Sequence, residues 1–122
     1  MASVITDVGL GLITALLAAS AHKYVAWGTD GTTAVVGDTD LGAESAEART
    51  SGTQSQQTTT TSNDTYRVVG EITATDTRAI QEVGIFSASS GGSLLMHADF
   101  DTINLSSGDS IEFTINNVLD QA

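Results

Sequence analysis

Residues 65–86 read TYRVVGEITATDTRAIQEVGIF, and the alternation within this stretch decides the fold. In its first half Tyr66, Val68, Gly70, Ile72 and Ala74 fall on one side of an extended chain, with Arg67, Val69, Glu71 and Thr73 on the other. That two-residue period belongs to a strand with one buried face. Thr75, Asp76 and Thr77 interrupt it, and a second strand is expected over residues 79–87 with Ile80, Val83, Ile85 and Phe86 as its apolar positions. The apolar spacing changes phase between Ile80 and Val83, and Gly84 sits inside the run, so a bulge or a close backbone approach is expected there. These two strands form the expected sheet centre, with the rest of the chain as partners.

Downstream, residues 87–93 (SASSGGS) read as a hairpin loop, and residues 94–101 as a strand with Leu94, Met96, Ala98 and Phe100 inward and His97 outward. Residues 106–109 (SSGD) make a tight turn into a last strand, where Ile111, Phe113 and Ile115 alternate with polar residues. Upstream, residues 57–62 (QTTTTS) could pass for a linker, but threonine is β-branched and favours the pleated backbone. A hairpin over residues 48–74 is the expected result, turning at residues 62–64. Residues 23–28 (KYVAWG) form a short strand, and residues 29–42 a long surface loop with room for a brief strand at 34–36. Residues 8–19 (VGLGLITALLAA) are the one long uncharged apolar run, expected to be a helix over about residues 7–21. Thr6 or Asp7 would cap it, and His22 and Lys23 would sit at the negative end of its dipole. Its leucines cover most of the circumference, which calls for burial on more than one side.

The expectation is a mainly β chain: an antiparallel β-sandwich or jelly-roll-like barrel with one N-terminal α-helix. Residues 1–122 read as a single domain, with the helix at about 7–21 and the β part at about 23–119.

Fifteen acidic residues face four basic ones, giving a net charge of −11. Lys23, Arg49, Arg67 and Arg78 are too few and too separated for a basic patch, which argues against nucleic acid and anionic membranes as partners. The apolar run is shorter than the roughly 20 residues that span a bilayer. It also lacks the basic front end of a secretory signal, since residues 1–7 carry no Lys or Arg. With no cysteine there is neither a disulfide nor a thiolate metal site.

Candidate chemistry is thin. Gly108-Asp109-Ser110-Ile111 resembles a serine-esterase nucleophile block over four residues, with no His after it and His97 upstream as the candidate base, but a turn leading into a strand accounts for the same residues. Asp30, Asp38, Asp40, Asp99 and Asp101 offer oxygens of the kind calcium takes, without EF-hand spacing, and solvated turn carboxylates are the simpler reading. His22 and His97 have no companions at metal-ligand spacing. No catalytic residue, no cofactor-binding residue and no metal ligand is therefore expected, and the chain is read as not an enzyme. A carbohydrate-binding module remains a third class, disfavoured by the scarcity of aromatic residues.

The chain resembles small virion structural proteins of tailed phages and related viruses. The likeness lies in residues 9–17 (GLGLITALL), 23–28 (KYVAWG), Leu41-Gly42 with Glu44 and Arg49, 63–66 (NDTY), 72–75 (ITAT) with 80–86 (IQEVGIF), 98–100 (ADF) and 108–111 (GDSI). It implies a virion location and two competing placements. The preferred one is a capsid decoration or cement protein that binds the major capsid protein across capsomer junctions, as a homo-oligomer with a trimer preferred. The alternative is a tail, baseplate or fibre-associated protein. Leu10, Leu12, Ile13, Leu16, Leu17, Tyr24 and Trp27 are the residues expected at the partner or oligomer interface.

Overall fold

The computed structural model describes residues 1–119. In chain order it holds α1 (Asp7–Ala18), β1 (Tyr24–Gly28), β2 (Thr50–Ser51), β3 (Thr53–Gln57), β4 (Thr65–Thr73), β5 (Arg78–Phe86), β6 (Leu94–Leu105) and β7 (Ser110–Val118). The strands form two antiparallel sheets, ordered β2-β1-β5-β6 and β3-β4-β7. The chain is thus a mainly β protein with two packed sheets and one N-terminal helix, in keeping with a sandwich.

The stretch at residues 65–86 divides between the layers. β4 is the middle strand of the three-stranded sheet, and β5 an inner strand of the four-stranded one, so the two halves face each other rather than pair. Their apolar faces meet in one core that includes Val25, Trp27, Tyr66, Val68, Ile80 and Ile85. Trp27 and Phe113 close it edge to face, with ring centroids 6.5 Å apart. The irregularity expected near Gly84 is present: the β5–β6 register shifts between Ile80 and Glu82 and again between Ile85 and Phe86. A Cβ on Gly84 would lie 2.8 Å from Leu41 Cδ2 and 3.1 Å from the Met96 carbonyl oxygen, so that position is held to glycine by close approach.

The 48–74 hairpin is largely as expected, with β3 and β4 paired from Thr53–Val69 to Gln57–Thr65. It starts later, at Thr50, and is broken at Gly52. On one side of the break β2 pairs with β1, and on the other β3 pairs with β4, so this single extended segment belongs to both sheets. At the crossing a Cβ on Gly52 would sit 3.0 Å from the carbonyl oxygens of Lys23 and Val69.

The helix is shorter than expected and ends at Ala18. The Ala19 N–H closes on Ala15 O at 3.1 Å, and the Ser20 hydroxyl donates to Leu17 O at 2.6 Å, so the last turn is satisfied without further helix. His22 and Lys23 consequently lie beyond it, and the last turn carries no basic residue. At the other end the Thr6 hydroxyl accepts the Gly9 N–H at 3.0 Å as the N-cap. Among the other departures, β6 runs on to Leu105, and residues 34–36 form no strand.

α1 lies against β3 and β4 and is held there by polar groups. Gln54 and Gln56 share the inward face of β3. The Gln54 amide donates to Leu17 O (3.0 Å), Ser20 O (2.9 Å) and Tyr66 Oη (2.8 Å), and the Gln56 amide to Gly11 O and Thr14 Oγ1, both at 2.8 Å. Thr14, fully buried, donates to Asn63 O at 2.8 Å.

Trp27 is the sole tryptophan of the chain and is buried, so its emission reports unfolding. Ile85→Ala, which empties part of the inter-sheet core, is expected to cost about 2–5 kcal/mol, read as a lowered urea midpoint in Trp27 fluorescence.

Candidate functional site

The residues nominated as an interface divide into two groups. Leu10 (4% exposed) and Trp27 (1% exposed) point into the chain's own interior, so they serve the fold and are corrected out of any outer surface. Leu17 packs against the main core, and Tyr24 against the smaller cluster of Ala26, Leu41 and Phe86. Ile13 is half-buried. Leu12 and Leu16 remain on the outside, 63% and 72% exposed, joined by Val8 at 76%. The helix therefore buries one face only, through Leu10 and Thr14, where burial on more than one side was expected.

The densest polar constellation lies on the outer face of the four-stranded sheet, under residues 29–43. The loop that reads as solvated folds back over β5 and β6. Glu82, fully buried, accepts backbone N–H groups from Asp30 (3.1 Å), Gly42 (2.8 Å) and Ala43 (2.8 Å), which ties both ends of the loop to β5. The ring of His97 lies between two carboxylates, with Nδ1 2.8 Å from Asp38 and Nε2 2.9 Å from Glu82. Its strand position faces outward as expected, but the loop covers it, and only 9% of the side chain is exposed. Asp99 holds the loop's middle by accepting the Ala34 N–H at 2.8 Å.

Burial alone would lower the His97 pKa, but hydrogen bonds and attraction from Asp38 and Glu82 outweigh it and raise the value above the ordinary one. The Val35 N–H and His97 together hold Asp38 below the usual carboxylate range. Two further carboxylates behave alike. Burial works to raise the Glu47 pKa, yet Ser45, Thr75 and Trp27 donate to it and keep it well below normal. Asp64 is kept low by the N–H groups of Thr61, Thr59 and Thr60, which it caps at 2.8–3.0 Å.

The groups nominated for chemistry are engaged elsewhere. The Ser110 hydroxyl bonds Thr73 Oγ1 at 2.6 Å, and His97 is occupied by its two carboxylates, so the nucleophile and the base do not meet. Asp30 accepts from the Thr32 N–H and hydroxyl, and Asp40 from the Leu41 N–H. Among the described residues no group of three or more His, Asp or Glu side chains is arranged to hold a metal ion. Glu82, Glu47, Gln54, Gln56 and Thr14 have no assigned role in the sequence reading. For Glu82 a signal was present, as a charged residue inside the apolar run of β5.

Two outcomes follow for the clamp. Glu82→Ala leaves three loop N–H groups without their acceptor and is expected to destabilise the fold by about 3 kcal/mol or more. Hydrogen exchange at the Asp30, Gly42 and Ala43 amides should rise with it, whereas Glu82→Gln, which keeps one acceptor oxygen, should fall between. The second concerns pH. A raised His97 pKa contributes stability that is complete below about 6.5, its ordinary value, and is lost as pH rises through the raised value. The lowered Asp38, Glu47 and Asp64 values contribute stability present above about 4 and lost as pH falls below it. The urea midpoint should therefore decline on both sides of a plateau, and His97→Gln should remove the alkaline decline while leaving the acid one.

A family model described as Podophage GP4 fiber I protein gp80 matches residues 11–119. No curated protein and no solved structure matches the chain. The match agrees with the resemblance to phage virion structural proteins and with a virion location. It favours the fibre-associated placement, held above as the alternative, over the preferred shell decoration. It takes in most of α1 and every strand, and on that extent the chain belongs to the Podophage GP4 fiber I protein gp80 family.

Proposed function

We propose that the chain is a non-catalytic structural protein of a phage tail fibre or its attachment, working as a homo-oligomer among other virion proteins. The observation that carries this reading is the family match over residues 11–119. The disposition of polar groups is consistent with it. Glu82, His97, Asp64 and Glu47 each spend their hydrogen bonds on the chain's own backbone and side chains, which is what a rigid building unit requires. Its role is mechanical: to hold a fixed shape and to add buried area between neighbouring subunits.

Gold-labelled antibody against the protein should decorate the tail region of intact virions, with a few to a few dozen copies per particle by quantitative mass spectrometry. Labelling spread over the head, in fixed ratio to the major capsid protein, would instead establish shell decoration and overturn the fibre reading.

A further inference from the structure

Both nitrogens of the His97 ring face carboxylates, Nδ1 that of Asp38 at 2.8 Å and Nε2 that of Glu82 at 2.9 Å. Each gap needs a hydrogen, and a neutral imidazole between two carboxylates supplies only one. One extra proton therefore closes the arrangement. The two carboxylates differ in what else holds them. Glu82 belongs to β5, has no exposed side-chain surface, and keeps its three backbone N–H donors whatever His97 does. Asp38 belongs to the loop, with 26% of its side chain exposed, and its bond from the Val35 N–H lies within its own turn. The Asp38 N–H closes that turn on Val35 O at 3.1 Å. Besides the His97 contact, the turn is tied to β6 by the Ala34 N–H on Asp99. A cavity of about 430 Å³ opens between Val35 and Val36 of the turn and Leu94 and Met96 of β6, with His97 in its wall.

We propose that residues 34–38 form a proton-operated flap, seated on β6 while both gaps about His97 hold a hydrogen and released at Asp38 when one proton leaves, with Asp30, Gly42 and Ala43 staying anchored on Glu82. The ring's remaining N–H goes to Glu82, because an unsatisfied carboxylate costs more in the interior than at Asp38, which water reaches. Charge acts in the same direction. Among the described residues, the titratable groups gathered about the ring are Asp30, Asp38 and Asp40 from the loop, Glu82 from β5 and Asp99 from β6 itself. All are acidic, and a neutral ring no longer offsets their mutual repulsion. Asp38 and Glu82 hold the His97 pKa above its ordinary value. The flap is therefore fully seated below about pH 6.5 and released as pH rises through the raised value. Release widens the cavity over Leu94 and Met96, so the outer face of the four-stranded sheet has two states. This behaviour is independent of where in the virion the chain sits.

The test is amide hydrogen exchange of the whole chain by NMR between about pH 6 and pH 9, corrected for the intrinsic rate and read beside the His97 ring resonances. Protection of the Ala34 amide, which bonds across to β6, should fall by about tenfold or more, as expected for loss of a charge-assisted contact. Its midpoint should coincide with the His97 titration, while protection at Asp30, Gly42 and Ala43 and the Trp27 emission stay constant. Asp38→Asn separates a switch from a mere structural tie. A carboxamide can donate to the bare Nδ1 of a neutral ring, so this variant should keep Ala34 protected across the whole range. Asp76→Asn, on the link between β4 and β5, should respond as wild type does. Constant Ala34 protection through the His97 titration overturns the proposal, as does a loss with a different midpoint. So does joint loss at Asp30, Gly42 and Ala43, which would mean that the loop leaves as a whole, or a loss that persists in Asp38→Asn.

Discussion

A carboxylate without solvent contact organises half of this molecule. Glu82 lies on the outer face of the four-stranded sheet, where strand residues ordinarily meet water, and its oxygens are satisfied there by three backbone N–H groups and the His97 ring. The register irregularity beside Gln81 makes this possible by letting Val83 and Ile85 keep to the inter-sheet core while Glu82 turns the other way. Once Glu82 is fixed, residues 29–43 have no freedom at either end, and Leu41 is delivered onto Phe86 and Ala26 as a second, smaller interior. The four-stranded sheet is consequently covered on both faces over β1 and β5, although only one of those faces meets the other sheet.

The same principle recurs around the chain. Asp64 caps the β3–β4 turn by gathering three consecutive threonine N–H groups, Asp109 closes residues 106–109 through the Ser106 N–H, and Glu47 joins Trp27 to the link before β5. A chain without proline must shape its loops by other means, and here carboxylates accepting backbone N–H groups do so. Several of the acidic residues are therefore structural. The three arginines are engaged in the same internal way. Arg49 engages Glu44 through two nitrogens, reaches the Ala88 and Gly91 carbonyls, and stacks 3.6 Å over the Phe86 ring.

Alternation and turn chemistry made the strands legible in the sequence, down to the phase change after Ile80 and the turns at residues 62–64 and 106–109. What alternation cannot convey is which sheet a strand joins. Tyr66 and Ile85 both read as inward-facing, and nothing local distinguishes two strands paired side by side from two strands stacked face to face. The loop at residues 29–43 was misjudged for a related reason: its own composition is solvated, and the groups that fold it down, Glu82 and His97, lie on distant strands. The helix misled through uniformity. Leucines all round gave no indication that Leu10 would be interior and Leu12 exterior, because the choice depends on Gln54, Gln56 and Thr14 fixing its rotation against β3.

The segment that crosses between sheets at Gly52 has a consequence for how the unit resists tension. Residues 50–57 are hydrogen-bonded to β1 on one side of the crossing and to β4 on the other. A pull that would peel one layer from its neighbour has to strip this segment from one of them, and the two pairs to β1 are the shorter attachment against the five to β4. The eight residues are thus a load path between the sheets whose first point of yield is its β1 end.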